Sequence, residues 1–451
     1  MLPDPQSLQI VLLVLSIIFL LLSFKNNIYG VISYFIILTA KLGDRYPELG
    51  AIRFELIAAV IVFISILIRG NIKKFFEDLS SNLNKTLLIF FFIGMLSILQ
   101  AVDMGESWRL GGYPLIKLML FYIMIVSSVN NITDLKKLVW SVVLITGWIA
   151  YEPIANYFRG IVVEQDYGTV AAGDYGVARQ HVALANTILQ SMPLVFYFAL
   201  SEKNKAKKGW LWVIFGLLVI GVVLSKSRGG FVGLIALAAS LFYLSQNKGK
   251  AFFVLLLIFI FLLPLAGEQY LEHMSTITDG VFASRTSSDR YLGLRNGIEM
   301  MIKRPLLGVG IGCYAEARRQ FFSYYFYSHN LYGELFGELG IMSFTWFLWI
   351  FLVFRRASYL KSLLERENED EDLYYQILTG VQVGLFIRLV LGNFTHGWYI
   401  WFWFIMGAIV VCIDNILKKE LQVMGEEIEE PEERIISDQP LAGESESTSL
   451  N

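Results

Sequence analysis

The sequence predicts an all-α membrane protein, a polytopic transmembrane helical bundle of about twelve or thirteen spans with a large extracytoplasmic loop. Hydrophobic residues make up 55% of the chain and charged residues only 17%, against about 25% charged residues in soluble domains. Apolar runs of about 20 residues recur, and that length crosses a bilayer core as a helix. The runs are continuous rather than alternating, so the pattern excludes a transmembrane β-barrel.

The apolar runs also place the spans. They lie near 8–24, 28–42, 50–68, 86–102, 110–129, 138–157, 181–200, 210–226, 230–246, 251–267, 329–354, 374–393 and 397–416. The run at 28–42 is short, so it either crosses the membrane or enters it as a re-entrant segment, which would leave about twelve spans. No basic segment precedes the run at 8–24, so we expect a retained first span rather than a cleaved signal peptide.

Lysine and arginine residues collect in alternate loops, which predicts that those loops face the cytoplasm. The residues concerned are Lys25, Arg69, Lys73, Lys74, Lys85, Lys136, Lys137, Lys203, Lys205, Lys207, Lys208, Lys248, Lys250, Arg355, Arg356, Lys361, Lys418 and Lys419. The loops at 158–180, 225–230 and 268–328 then lie outside, and the carboxyl terminus lies inside. Residues 1–419 form the predicted transmembrane domain, and residues 420–451 form an acidic cytoplasmic tail whose composition predicts disorder.

Ten cations fall on the predicted outer side, where the positive-inside rule predicts few. They are Arg159, Arg179, Arg228, Arg285, Arg290, Arg295, Lys303, Arg304, Arg318 and Arg319. A phosphate or diphosphate ligand at the outer leaflet would explain them, because such a group fits the guanidinium fork. The alternative is a solvated loop in which they pair with nearby carboxylates, and we favour that alternative for Arg304, Arg318 and Arg319.

Arg228 lies in the tight turn SKSRGGF between two predicted spans. The glycines Gly229 and Gly230 allow another backbone to approach this turn closely. The turn therefore favours a ligand-binding arginine, and the alternative is an arginine that reaches toward lipid headgroups.

Arg290 lies in a predicted helix that ends before Pro305. Gly293 and Gly297 lie near its face and leave space beside the guanidinium. Arg295 points more than a quarter-turn away on the same helix, which makes it the weaker ligand-binding residue of the two.

His329 opens a predicted span after the aromatic run FSYYFYS, beside the arginine-rich loop. A neutral imidazole can accept a proton from an attacking hydroxyl near pH 7. Glu334 and Glu338 follow on one helical face, and Glu334 either orients the imidazole or pairs with an arginine. The alternative for His329 is a structural role at the start of a helix.

At these residues the sequence resembles the O-antigen ligase and O-antigen polymerase superfamily, over about residues 180–345. The resemblance is carried by three motifs: the turn Ser227-Arg228-Gly229, the pair Arg290 and Leu294, and the set His329, Asn330 and Gly340. The last motif position holds Ser343, where the ligase pattern has glycine, threonine or valine.

The resemblance implies a glycosyltransferase that works without metal or cofactor. It implies inverting transfer of an undecaprenyl-diphosphate-linked glycan to a sugar hydroxyl, at the periplasmic face of the bacterial inner membrane. His329 would activate the acceptor, Arg228 and Arg290 would bind the diphosphate, and Arg179, Arg295 and Glu334 are further substrate-binding residues by position. The other expected partners are membrane lipids, and no nucleic acid is expected.

Three other functions stay open at this stage. The same motifs fit a polymerase that joins lipid-linked repeat units, and a protein O-oligosaccharyltransferase is a further variant. A glycolipid transporter or flippase would use charges inside the membrane, for which Glu55, Lys117 and Arg388 qualify. These three charges are scattered and no internal repeat accompanies them, which disfavours a transporter.

Overall fold

The structure, a computed structural model, describes residues 5–69, 81–165, 168–171, 173, 180–249, 252 and 285–424. These residues are overwhelmingly helical, which confirms the predicted all-α class. Outside the described residues lie Arg179, most of the predicted span at 251–267, the first part of the outer loop and the tail after residue 424.

The amino-terminal helices are α1 (Pro5–Leu22), α2 (Asn27–Ala40), α3 (Leu42–Arg45), α4 (Pro47–Ala51), α5 (Phe54–Ile68), α6 (Asn82–Ser97), α7 (Met104–Ser107) and α8 (Tyr113–Ser128). A 3-10 turn, Ile98–Gln100, continues α6, and a π-helical turn, Trp108–Gly112, joins α7 to α8. Helix α2 is the short run that the sequence left open as a span, and nearly all its side chains are buried between neighbouring helices.

The middle of the chain contains α9 (Ile132–Phe158), α10 (His181–Ser201), α11 (Lys205–Leu224) and α12 (Arg228–Leu244). Between α9 and α10 lies an antiparallel hairpin of β1 (Val163–Gln165) and β2 (Gly168–Val170), which the sequence did not predict. Beyond it, Ala171 donates its N–H to the carbonyl of Leu224 at 2.9 Å. The hairpin is thereby tied to the end of α11, next to the turn that carries Arg228.

The remaining helices are α13 (Arg285–Lys303), α14 (Tyr314–Phe322), α15 (Leu331–Leu339), α16 (Phe344–Ser362), α17 (Glu369–Leu391) and α18 (Trp401–Met424). A 3-10 turn, Gly340–Ser343, breaks the predicted span at 329–354 into α15 and α16. Gly340 begins that turn with φ +59, a conformation that favours glycine.

Helix starts are set by short polar side chains that accept hydrogen bonds from the first unpaired N–H groups. Such caps are Asn26 for α2, Ser81 for α6, Asn131 for α9, Asn204 for α11, Ser227 for α12, Asn330 for α15 and Asn368 for α17. These short polar residues therefore mark where the helices begin.

Eight described helical segments have the length and hydropathy to cross a membrane, and four shorter apolar helices accompany them. The four are Ser7–Leu22, Asn27–Ala40, Phe54–Ile68 and Arg228–Leu244. Together they correspond to the predicted spans, apart from the run at 251–267. The structure thus confirms a polytopic helical bundle.

The bundle has two distinct ends. Lys136 lies 3.4 Å from Asp370, Asn26 donates to Asp134 at 3.1 Å, and Tyr374 donates to Glu420 at 3.2 Å. These contacts join the lysine- and arginine-rich loops at one end, which we call the basic end. The first turns of α10, α12 and α15 and the segment before α18 lie together at the other end, which we call the site end.

Two ion pairs lie inside the bundle. Lys117 on α8 pairs with Glu55 on α5 at 2.9 Å, and Arg45 pairs with Glu152 on α9 at 2.7 Å. Charged groups in a low-dielectric interior are destabilising unless they are paired in this way. The two pairs therefore fit a structural role.

Candidate active site

The turn before α12 is buried against the segment that precedes α18. Ser227 caps α12 by accepting the N–H of Gly230 at 3.2 Å, and Arg228 is buried as the first residue of the helix. A Cβ atom added at Gly229 would lie 2.9 Å from Cβ of Phe394. The absence of a side chain at Gly229 therefore lets Phe394 pack directly on the turn that carries Arg228.

Phe394 also meets the second arginine of the predicted site. The guanidinium carbon of Arg290, on α13, lies 5.1 Å from the centre of the Phe394 ring. This is cation–π distance, at which the ring face attracts the positive charge. One phenylalanine thus contacts both the Arg228 turn and the Arg290 guanidinium, so these two predicted residues share a neighbourhood.

Two glycines set the approach of α13 to the His329 segment. A Cβ at Gly293 would lie 1.9 Å from the carbonyl oxygen of Ser328, and one at Gly297 would lie 2.0 Å from that of Gly333. The sequence predicted that these glycines leave space beside Arg290. The structure corrects this, because the backbone of 328–333 fills the space and brings Arg290, one turn along α13, toward His329. Helix α13 ends at Lys303, as predicted.

His329 occupies a backbone conformation that most residues avoid. Its φ is +48, in the left-handed region, immediately before Asn330 caps α15 by accepting the N–H of Gly333 at 2.9 Å. The half-buried imidazole lies 5.0 Å from the ring of Phe326 and 5.1 Å from the ring of His396. Backbone strain of this kind persists where the surroundings hold it, and it is frequent at functional sites.

The surroundings of His329 favour the uncharged form of its imidazole. Burial lowers the pKa of His329, the positive charges of Arg290 and Arg318 lower it further, and Asp289 opposes them. An imidazole that is neutral at pH 7 has a lone pair available for a proton. The site can therefore act as a general base.

His396 is a site residue that sequence reasoning missed. Its ring stacks on that of Tyr327, with 5.6 Å between the ring centres and an interplanar angle of 4°. Its ring also contacts that of His329. Burial, followed by the charges of His329 and Arg388, lowers the pKa of His396 to about 3. The available signal was a histidine in the short turn NFTHGW between two spans, at the predicted outer side.

Glu334 and Arg388 hold the turn that carries His396. The Glu334 carboxylate accepts the N–H groups of Gly397 at 2.6 Å and Trp398 at 3.3 Å. Arg388 donates from Nη2 to the carbonyls of His396 at 2.9 Å and Gly397 at 3.1 Å. The sequence left open whether Glu334 orients His329 or pairs with an arginine. In the structure the Glu334 carboxylate binds the backbone of the His396 turn, and its substrate-binding role stays a prediction.

Glu338 connects this turn to the glycine-rich segment at 306–314. Its carboxylate accepts the indole N–H of Trp398 at 3.1 Å and the backbone N–H of Tyr314 at 3.3 Å. Glu334 and Glu338 lie on one buried face of α15, as their spacing predicted. That face therefore joins the His396 turn to the glycine-rich segment.

Four other predicted cations lie in different surroundings. Arg295 is exposed and pairs with Glu299 at 2.9 Å, so its binding role stays a prediction. Exposed Arg319 pairs with Glu316, which agrees with the solvated, ion-paired loop predicted for it. Arg304 is half-buried and donates to the backbone carbonyl of Gln100 rather than to a carboxylate. The prediction of a solvated loop is wrong for Arg318, which is fully buried.

Comparison with known proteins supports the resemblance drawn from the motifs. Residues 213–348 match the family model of O-antigen ligase, and the matched region includes Arg228, Arg290 and His329. No curated protein matches the chain significantly. The match confirms the resemblance to the O-antigen ligase superfamily and, with the apolar helices, indicates a bacterial membrane protein.

Proposed function

We propose that this O-antigen ligase-like protein transfers a glycan from undecaprenyl diphosphate to a sugar hydroxyl, with inversion at the anomeric carbon, at the periplasmic face of the inner membrane. The observation that carries the proposal is the gathering of His329, Arg290 and the Arg228 turn around Phe394 and His396 at the site end. Two cations beside an uncharged imidazole are what a diphosphate donor and a hydroxyl acceptor require.

The proposed reaction is a single displacement. Arg228 and Arg290 bind the donor diphosphate, and the acceptor hydroxyl lies against His329. The hydroxyl oxygen attacks the anomeric carbon on the face opposite the diphosphate while its proton passes to the imidazole. The bond from the anomeric carbon to the diphosphate oxygen breaks with its electron pair on oxygen, and the imidazolium later returns the proton to water.

Leaving-group departure in this reaction relies on charge rather than on a general acid. The diphosphate gains negative charge as the bond breaks, and positioned guanidinium groups stabilise that charge most in a site from which water is excluded. Arg228 is buried and Arg290 is half-buried, which supports such a role. His329 needs only to be neutral at the start, and its lowered pKa meets that need.

A polymerase that joins lipid-linked repeats would use the same chemistry with a different acceptor. Ser343, the departure from the ligase pattern, is fully buried in the 3-10 turn after α15, so it offers no contact to an acceptor. Chain length separates the two functions in a deletion strain. Loss of a ligase leaves long chains on the lipid carrier, and loss of a polymerase leaves single repeats.

The proposed site is tested with purified protein in liposomes that contain an undecaprenyl-diphosphate-linked glycan and an acceptor glycolipid. We expect His329→Ala and Arg290→Ala each to lower the transfer rate at least about a hundredfold, because each removes a group that acts on the reacting atoms. The measurement is glycan transferred per minute, at equal amounts of folded protein.

The matched control is Arg319→Ala, which removes an exposed arginine of the same loop that already pairs with Glu316. It should transfer at the rate of the unaltered protein. Activity retained in both His329→Ala and Arg290→Ala would reject the site.

A further inference from the structure

Arg318 is the fully buried cation of the segment between α13 and α15. Its Nη1 donates to the carbonyl of Tyr327 at 3.1 Å and its Nη2 to the hydroxyl of Tyr324 at 2.7 Å. The guanidinium carbon also lies 4.5 Å from the centre of the Tyr324 ring and 5.7 Å from that of Phe326. The side chain therefore joins three residues of the stretch that leads into His329.

No carboxylate pairs with Arg318 within the described part of the chain. Its Nε–H is buried and donates to no protein group there either. The next residue, Arg319, shows the contrast, because it is exposed and bound to Glu316. A buried charge without a counter-ion is strongly destabilising, so a fold that keeps one here indicates that the charge itself is used.

We propose that Arg318 is a positioning residue of this site, which fixes the 324–329 segment through Tyr324 and Tyr327 and holds a permanent positive charge beside His329. The inference rests on the proposed function, since it gives Arg318 a role through the residue that accepts the proton. Phe326, which contacts both Arg318 and the His329 ring, extends the same connection to the imidazole.

The charged and titratable groups around His329 decide the sign of the effect. Asp289 and Arg290 face it from α13, Arg318 from α14, and His396 from the turn before α18. A positive charge disfavours the imidazolium, so Arg318 lowers the pKa of His329, as Arg290 does. Loss of the Arg318 charge should therefore raise the pH at which His329 titrates.

The test uses histidine-labelled protein in detergent micelles, because the chain has only four histidines. The His329 signal is identified by its loss in His329→Ala, and its titration is followed by NMR. In Arg318→Gln we expect the midpoint to rise toward the ordinary histidine value, while Arg319→Gln leaves it unchanged. Transfer by Arg318→Gln should fall about tenfold to a hundredfold at pH 7, because the 324–329 segment loses its anchor.

Arg318→Lys is the second variant, and it decides the question if Arg318→Gln does not fold. Lysine keeps the positive charge but lacks the guanidinium fork that binds Tyr324 and Tyr327. The titration midpoint of His329 should therefore stay unchanged, while the transfer rate falls at least about tenfold. The proposal is overturned if Arg318→Gln leaves the midpoint in place, if Arg319→Gln moves it equally, or if Arg318→Lys transfers at the full rate. Full transfer by both His329→Ala and Arg290→Ala would instead reject the proposed function, and the titration would still report on Arg318.

Discussion

The two histidines of the site end, His329 and His396, lie 5.1 Å apart and both favour the neutral form. Two imidazolium ions at this distance would repel each other, and burial weakens the hydration of either one. The charges of Arg290 and Arg318 lower the pKa of His329, and Arg290 is also one of the two arginines proposed to bind the diphosphate. Glu334 and Arg388 hold the backbone of the His396 turn. The uncharged ring of His396 therefore stays packed against the ring of His329.

His396 should make the folded state sensitive to acid. Its pKa is about 3 in the folded protein and about 6.5 when unfolded. Between these values the unfolded chain binds more protons, so stability is full above pH 6.5 and falls as the pH falls. From pH 7.5 to pH 5 this single group should remove on the order of 2 kcal/mol of the free energy of unfolding.

Thermal melting of the purified protein at pH 7.5 and pH 5 measures this effect. His396→Gln and His396→Phe differ in polarity and in stacking on Tyr327, but both lack the titrating group. Each should lose part of the acid-induced drop in melting temperature, whatever its stability at pH 7.5. An unchanged drop in both variants would show that another group is responsible.

At the scale of single elements, the packing of α13 on α15 determines where Arg290 meets His329. A Cβ at Gly297 would fall 2.0 Å from the backbone oxygen of Gly333, a rigid neighbour that cannot rotate away. Gly297→Ala should therefore destabilise the protein by about 3 kcal/mol or more, at the upper end of overpacking effects. The melting temperature and the yield of folded protein in detergent should both fall.

Gly216→Ala is the matched control for that substitution. Gly216 also lies inside a helix, α11, but a Cβ there meets nothing within 4 Å. Alanine has the higher helix propensity, so this variant should be neutral or slightly more stable. Equal behaviour of the two alanine variants would contradict the close contact between α13 and α15.

The elements that sequence could predict are those set by local pattern. Continuous apolar runs predicted the spans, and Pro305 predicted the end of α13 at Lys303. The glycine contacts and the Glu334 hydrogen bonds were not predictable in this way, because Glu334 and its partner Gly397 are separated by 63 positions. The burial of Arg318 depends on how the 324–327 segment folds back, which charge spacing does not encode.

At the scale of the whole molecule, the site end and the basic end lie at opposite ends of the helices. The three motif regions, far apart in sequence, meet at one end because each lies where a helix begins or ends there. The lysine- and arginine-rich loops meet at the other end, joined by contacts such as Lys136 with Asp370. The positive-inside rule then predicts that the site end faces the periplasm, where the proposed donor is presented.

Cysteine labelling tests this orientation directly. Both native cysteines, Cys313 and Cys412, are buried, so they should give little background. Tyr325 is 48% exposed at the site end and Lys203 is exposed at the basic end. A membrane-impermeant thiol reagent should label Tyr325→Cys in intact spheroplasts and Lys203→Cys only after the membrane is permeabilised. The reverse result would place His329 and its arginines in the cytoplasm, away from an outward-facing donor and acceptor, and the proposed transfer at the periplasmic face would fail.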